Sequence, residues 1–112
     1  MENTSRSHQE WQNETKNKLY SLVRQIPRGS VVSYGWLGSA LGISPRLVGR
    51  YLHQNPDSST TPCHRVVRAD GSLASGYAFG GLSVQRQLLE QEGVIFTKNR
   101  VAKQHANVFN IG

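Results

Sequence analysis

No apolar run in this chain approaches the roughly 20 residues needed to cross a bilayer, and the N-terminus lacks the apolar core of a secretion signal. A membrane protein is therefore not expected, and the cytoplasm is the default location. Cysteine is scarcer still: Cys63 is the only one in 112 residues. A single thiol cannot close an internal disulfide or build a multi-thiolate metal site, and it fits a reducing compartment. Acidic residues are also few, seven against thirteen Lys and Arg, for a formal charge of +6 and an isoelectric point near 10.0. That excess suits a polyanion such as nucleic acid, although a solvated basic surface has the same composition. Internal repeats, zinc-ligand spacing and a phosphate-binding glycine loop are all missing, so neither a metal nor a cofactor is expected.

What remains is the length of one ordinary domain, enough for a modest core. Ser7 and Glu10 have capping-box spacing, and Trp11, Thr15, Leu19, Leu22, Val23 and Ile26 then recur at three- and four-residue steps. A first helix should run from there to the stop at Pro27. After a turn and a short extended Val31-Val32, Ser33 can cap a second helix over residues 34–41, with Leu37, Ala40 and Leu41 on one side and Gly42 at its end. Ser44 and Pro45 have the chemistry of a cap and first turn, which places a third helix over residues 45–54. Two short helices joined by a glycine-containing turn make a helix-turn-helix pattern.

On the third helix Val48 and Leu52 should face inward, leaving Arg46, Gly49, Arg50 and His53 outside. A glycine inside a helix costs up to about 1 kcal/mol against alanine. Gly49 is thus either tolerated on an ordinary solvated helix face, with close helix packing, or marks a place where a phosphate backbone or groove floor approaches. Further on, Ala69-Asp70-Gly71 between Arg65–Arg68 and Ser72–Ala74 predicts a small β-hairpin. Gly76-Tyr77-Ala78-Phe79 has no helix or strand period and reads as a loop that walls a pocket or covers the core. A fourth helix is expected from about Leu82 to Gln91, with Leu82, Leu88 and Leu89 apolar. Glu92 closes it, where the helix dipole disfavours an acid. Val94-Ile95-Phe96 reads as a last extended piece, and residues 100–112, like 1–6, as flexible. The whole is a single domain, mainly α with a small β-hairpin, of the winged helix-turn-helix kind.

The chemistry concentrates in Thr61-Pro62-Cys63-His64-Arg65. Free cysteine usually behaves as a small buried hydrophobe. Here Pro62 stiffens the approach, while His64 and Arg65 bring a titratable base and a fixed positive charge that favour the reactive thiolate. Cys63 is either a core residue or an activated nucleophile.

Pro62-Cys63-His64-Arg65-Val66, together with Ser33-Tyr34, Arg46-Leu47-Val48-Gly49, Asn55-Pro56, Gly76-Tyr77 and Leu88-Leu89 before Glu92-Gly93, resembles the C-terminal DNA-binding domain of the O6-alkylguanine-DNA alkyltransferases. The resemblance runs from about Leu19 to Gly93. It implies that Cys63 takes the alkyl group from O6 of guanine in a single turnover, with His64 as a general base acting through water, Glu92 orienting His64, and Asn55 bracing the turn before the site. It also implies that Arg46 fills the space left by the extruded base, that Tyr34 crowds the 3′ phosphate, and that the helix bearing Gly49 and Arg50 enters the minor groove. Arg65 would add a DNA contact, and Val66, Tyr77, Ala78 and Phe79 would line the base pocket. The partner implied is double-stranded DNA containing O6-alkylguanine, bound by a monomer. Two features depart from the transferases: they usually have a further N-terminal domain, where only a short polar leader precedes the expected first helix here, and Gln85-Arg86 stands where they commonly have lysine. The length instead resembles the alkyltransferase-like proteins, which bind the lesion without chemistry and pass it to nucleotide excision repair but usually replace the cysteine. A sequence-specific helix-turn-helix regulator is a third possibility.

Overall fold

In a computed structural model, the chain is described over residues 7–57, 59–73 and 80–106. Ser7 accepts from the Glu10 amide at 3.0 Å while the Glu10 carboxylate accepts from the Ser7 amide at 2.9 Å, and this reciprocal cap starts α1, His8–Arg24. Its apolar stripe buries Leu19, Leu22, Val23 and Ile26. Trp11, one turn too early to reach the core, is 36% exposed. The very short strand β1, Val32–Ser33, leads directly into α2, Tyr34–Leu41, whose first turn is capped by the Ser33 hydroxyl. Ser44 and Pro45 open α3, Pro45–His53, as their side-chain chemistry requires.

Helices α2 and α3 are locked as a helix-turn-helix by a glycine contact. A Cβ on Gly38 would lie 2.6 Å from the Ile43 carbonyl, so only glycine lets the connection fold back this tightly. Leu37, Val48, Tyr51 and Leu52 meet α1 in the main core. Ala40, expected beside Leu37, faces solvent instead. Tyr51 sits on the border of the α3 apolar face and is 1% exposed, with Tyr20 donating to its carbonyl at 2.7 Å.

The expected hairpin around Ala69-Asp70-Gly71 is corrected in its partners. The turn itself closes, with Gly71 donating to Arg68 and Arg68 to Ser72, and Gly71 at φ 86. The strand before it, β2, Val66–Val67, pairs with β1 in parallel, Val32 opposite Val66. Both valines are buried, and a strand covered on both faces suits a parallel pairing more than a half-exposed ribbon. After α4, Gly81–Gln91, the hairpin of the fold is instead formed by β3, Phe96–Thr97, and β4, Arg100–Val101. Lys98 and Asn99 at positive φ turn it, and Asn tolerates that region well. Residues 100–106, expected to be a loose tail, therefore belong to the fold: Val101 is 7% exposed in a second core with Val31, Val67, Leu89 and Val94. Leu82, counted among the apolar positions of α4, is 45% exposed.

Candidate functional site

Pro62 ends the loop after α3 and Cys63–Arg65 form one 3-10 turn before β2. The loop is held from inside by Asn55, whose amide donates to the Thr61 carbonyl at 2.9 Å and approaches the Cys63 Sγ at 3.6 Å, while its oxygen accepts from the Asp57 amide. Asn55 thus braces the turn and also touches the sulfur. Cys63 is 5% exposed at the edge of the main core. Burial pushes its thiol above the ordinary value, opposed by the Asn55 donor and by its own backbone amide. The sequence reading gave the activating role to Arg65 and His64, but the side chains of both turn toward an acid.

That acid is Glu92. Arg65 grips it with two donors, Nε to Oε1 and Nη2 to Oε2, both at 2.9 Å, and His64 Nε2 lies 2.8 Å from Oε2. Burial alone would raise the Glu92 pKa, but hydrogen bonds and positive charge from Arg65 and His64 prevail and lower it to about 2. An ionised carboxylate can only accept, so in the neutral imidazole the proton belongs on Nε2 and the lone pair on Nδ1. Nδ1 is buried and has no hydrogen-bond partner. A base with one nitrogen unpaired and its other nitrogen fixed by a carboxylate is oriented as a general base would be. The acid at the end of α4 thus has its explanation.

Arg65 is corrected as a DNA contact. Its third nitrogen, Nη1, donates to the Ile26 carbonyl at 2.8 Å, and its side chain is only 15% exposed. Val66, expected on the pocket wall, is fully buried in the main core. Tyr77, Ala78 and Phe79 lie outside the described residues.

Gln85 plays a part that sequence reasoning missed. It is 1% exposed, and its Nε2 donates to the carbonyls of His64 and Val66 at 3.0 and 3.1 Å, tying the reactive turn to α4. The signal was its position one turn before Leu89 on the buried face. Gln85→Leu, similar in volume but without a donor, is expected to cost about 1–3 kcal/mol in urea unfolding, since two buried carbonyls lose their donor. Unchanged stability would show that those carbonyls do not depend on it.

Arg46, Gly49 and His53 of α3, with Tyr34 and Arg68, line one open concavity of about 590 Å³. Arg46 and Arg50 are exposed, but Arg50 is not part of this wall. A Cβ on Gly49 would meet only the Tyr34 ring, at an ordinary 3.9 Å. Packing among the described residues therefore does not require glycine there. Burial raises the Tyr34 phenol, negative charge at Cys63 raises it further, and Arg68 opposes both. Arg68 was not singled out in the sequence, although two inward valines before it leave it pointing outward. Among the described residues no group of three or more His, Cys, Asp or Glu converges as a metal ion would require.

Residues 14–94 match the family described as 6-O-methylguanine DNA methyltransferase, DNA binding domain. The methylated-DNA–protein-cysteine methyltransferase of Methanothermobacter thermautotrophicus is 42% identical over 81 residues, 72% of this chain and 45% of that protein. A DNA base-flipping protein of Thermus thermophilus is 45% identical over 78 residues, covering 70% and 52% respectively. Among solved structures, S. pombe Atl1 in complex with damaged DNA containing O6-carboxymethylguanine superposes with a TM-score of 0.66 at 30% identity, over 74% of this chain and 79% of that one. The chain spans about half the length of the curated relatives it matches.

Proposed function

From the premise that the chain belongs to the family of the 6-O-methylguanine DNA methyltransferase DNA-binding domain, we propose that it binds duplex DNA in the minor groove, extrudes O6-alkylguanine and accepts the alkyl group on Cys63. The observation that carries this reading is that the residue next to Cys63 in the same turn is an imidazole whose Nε2 is fixed by Glu92 and whose buried Nδ1 has no partner. The alkyl carbon lies inside a stacked duplex, so the base must leave the stack, at a cost of a few kcal/mol that a weakened base pair reduces. Arg46, exposed at the start of α3, fills the gap. His64 Nδ1 takes the thiol proton through water, the sulfur attacks the alkyl carbon, the carbon–oxygen bond breaks, and the proton returns to the departing guanine. The product is a thioether and normal guanine. Because the thioether is inert, each molecule reacts once.

A second reading is a lesion sensor that binds extruded O6-alkylguanine without chemistry and hands it to nucleotide excision repair. The raised Cys63 thiol and a neutral Gln85 beside the reactive turn favour it. Both readings need selective lesion binding. Arg46→Ala is expected to weaken binding to an O6-methylguanine duplex by on the order of tenfold more than to the undamaged duplex, because only the first complex has a gap to fill. Equal losses on both duplexes, measured by fluorescence anisotropy, would reduce Arg46 to a phosphate contact. Preference for one undamaged sequence would favour a regulator reading base edges.

A further inference from the structure

The family match ends at residue 94, yet the chain continues into a folded segment that is fastened to the residue before β1 and to the turn after β2. Val101 donates to the Gly71 carbonyl at 2.9 Å, Arg100 bridges Ser72, and Val31 donates to His105 at 2.9 Å. His105 also bonds the Gly29 carbonyl and accepts from the Ile95 amide, so its ring joins the hairpin to the turn before β1. These bonds fix the hairpin against the strand that carries Ser33 and the turn that carries Arg68.

The consequence is electrostatic. After Glu92 the sequence has no acidic residue, but it has Lys98, Arg100 and Lys103. Arg100 and Lys103 line a second concavity, of about 370 Å³, together with Ser33, Trp36 and Arg68. Arg68 and Ala69 also line the concavity under Tyr34 and Arg46, so the two hollows are neighbours across one basic rim. The one acid there is Asp70, whose carboxylate lies 3.7 Å from Arg100 with both side chains more than half exposed. A pair that open is worth little and leaves Arg100 available to a phosphate.

We propose that Arg100 and Lys103, on the segment beyond the family domain, join Arg68 in a second phosphate-binding ridge that extends the duplex contact past the α3 helix. This inference rests on the reading of the chain as a duplex-DNA binder. The ridge touches backbone and not bases, so it adds affinity and salt dependence without lesion preference.

Duplex affinity measured over a series of salt concentrations tests it. Arg100→Ala with Lys103→Ala is expected to lower the slope of log K against log salt by about 1.8, and to weaken lesion and undamaged duplexes by the same factor, on the order of tenfold at low salt. Asp70→Asn, which keeps an oxygen for the Ser72 hydrogen bonds but removes the competing charge, should tighten both duplexes. Tightening by Asp70→Asn keeps the test open if the double variant folds poorly. An unchanged slope in a folded double variant, or no tightening by Asp70→Asn, overturns the ridge. If Arg46→Ala still removes lesion selectivity in that case, the site reading stands without the ridge. A wild-type chain that binds no duplex would overturn both.

Discussion

Cys63→Ser is expected to abolish alkyl transfer while leaving lesion binding within about twofold, because a serine hydroxyl is a weak nucleophile at its ordinary pKa. The substitution is small, and Asn55 can donate to the new oxygen as it approaches the sulfur now. Wild-type transfer should have its own signature. Burial holds the Cys63 thiol above its ordinary value, so the rate should climb with pH through neutrality without levelling off below the usual thiol range. A plateau at acidic pH would mean that a stable thiolate–imidazolium pair forms before DNA binds. A serine variant that no longer binds the lesion would make the cysteine structural.

Glu92→Ala should show the second large effect, on stability and chemistry together. The Glu92 side chain is 6% exposed and holds both Arg65 and His64. Removing one member of such a buried set leaves the other charge uncompensated and costs about 3–5 kcal/mol. The imidazole also loses the acceptor that fixes its tautomer, and transfer should fall by about 10²–10⁴ as general-base assistance is lost. Acid reproduces part of the change. The Glu92 pKa drops from an ordinary 4.5 when unfolded to about 2 when folded. Its contribution is therefore complete above pH 4.5 and is lost as the pH falls toward 2. Urea unfolding at neutral pH and near pH 3 should show the gap between wild type and Glu92→Ala narrowing in acid. A cost below about 1 kcal/mol at neutral pH, or a gap that does not narrow, would show that the carboxylate is not the anchor of the network.

The helical half of the fold was legible because its signals are local. Ser7, Ser33 and Ser44 each cap the helix that follows with a hydroxyl, and Gly42, having no Cβ, ends α2 at φ 72. The sheet pairings were not legible. Val66-Val67 next to a turn sequence reads as a hairpin arm, and nothing nearby reveals that Val32, more than thirty residues earlier, is its partner. The β3–β4 hairpin escaped notice because each strand has only two residues and no alternation can show in so short a run. The site divides in the same way. Cys63, His64, Asn55 and Glu92 carried the family resemblance, and the structure brings the sulfur to Asn55 and the imidazole to Glu92. Arg65 looked like a DNA contact because its sequence neighbours do not reveal that its guanidinium reaches the end of α1 and the end of α4 at once. Gln85 looked like a missing cation, whereas its buried amide holds two carbonyls of the reactive turn.

The most direct measurement is the intact mass of the protein after incubation with a duplex carrying O6-methylguanine, followed by peptide mapping. A gain of one methyl group, confined to the peptide containing Cys63 and absent from Cys63→Ser, is the expected result. An unchanged mass under conditions where the lesion is bound tightly would contradict transfer to this sulfur and leave a binding protein.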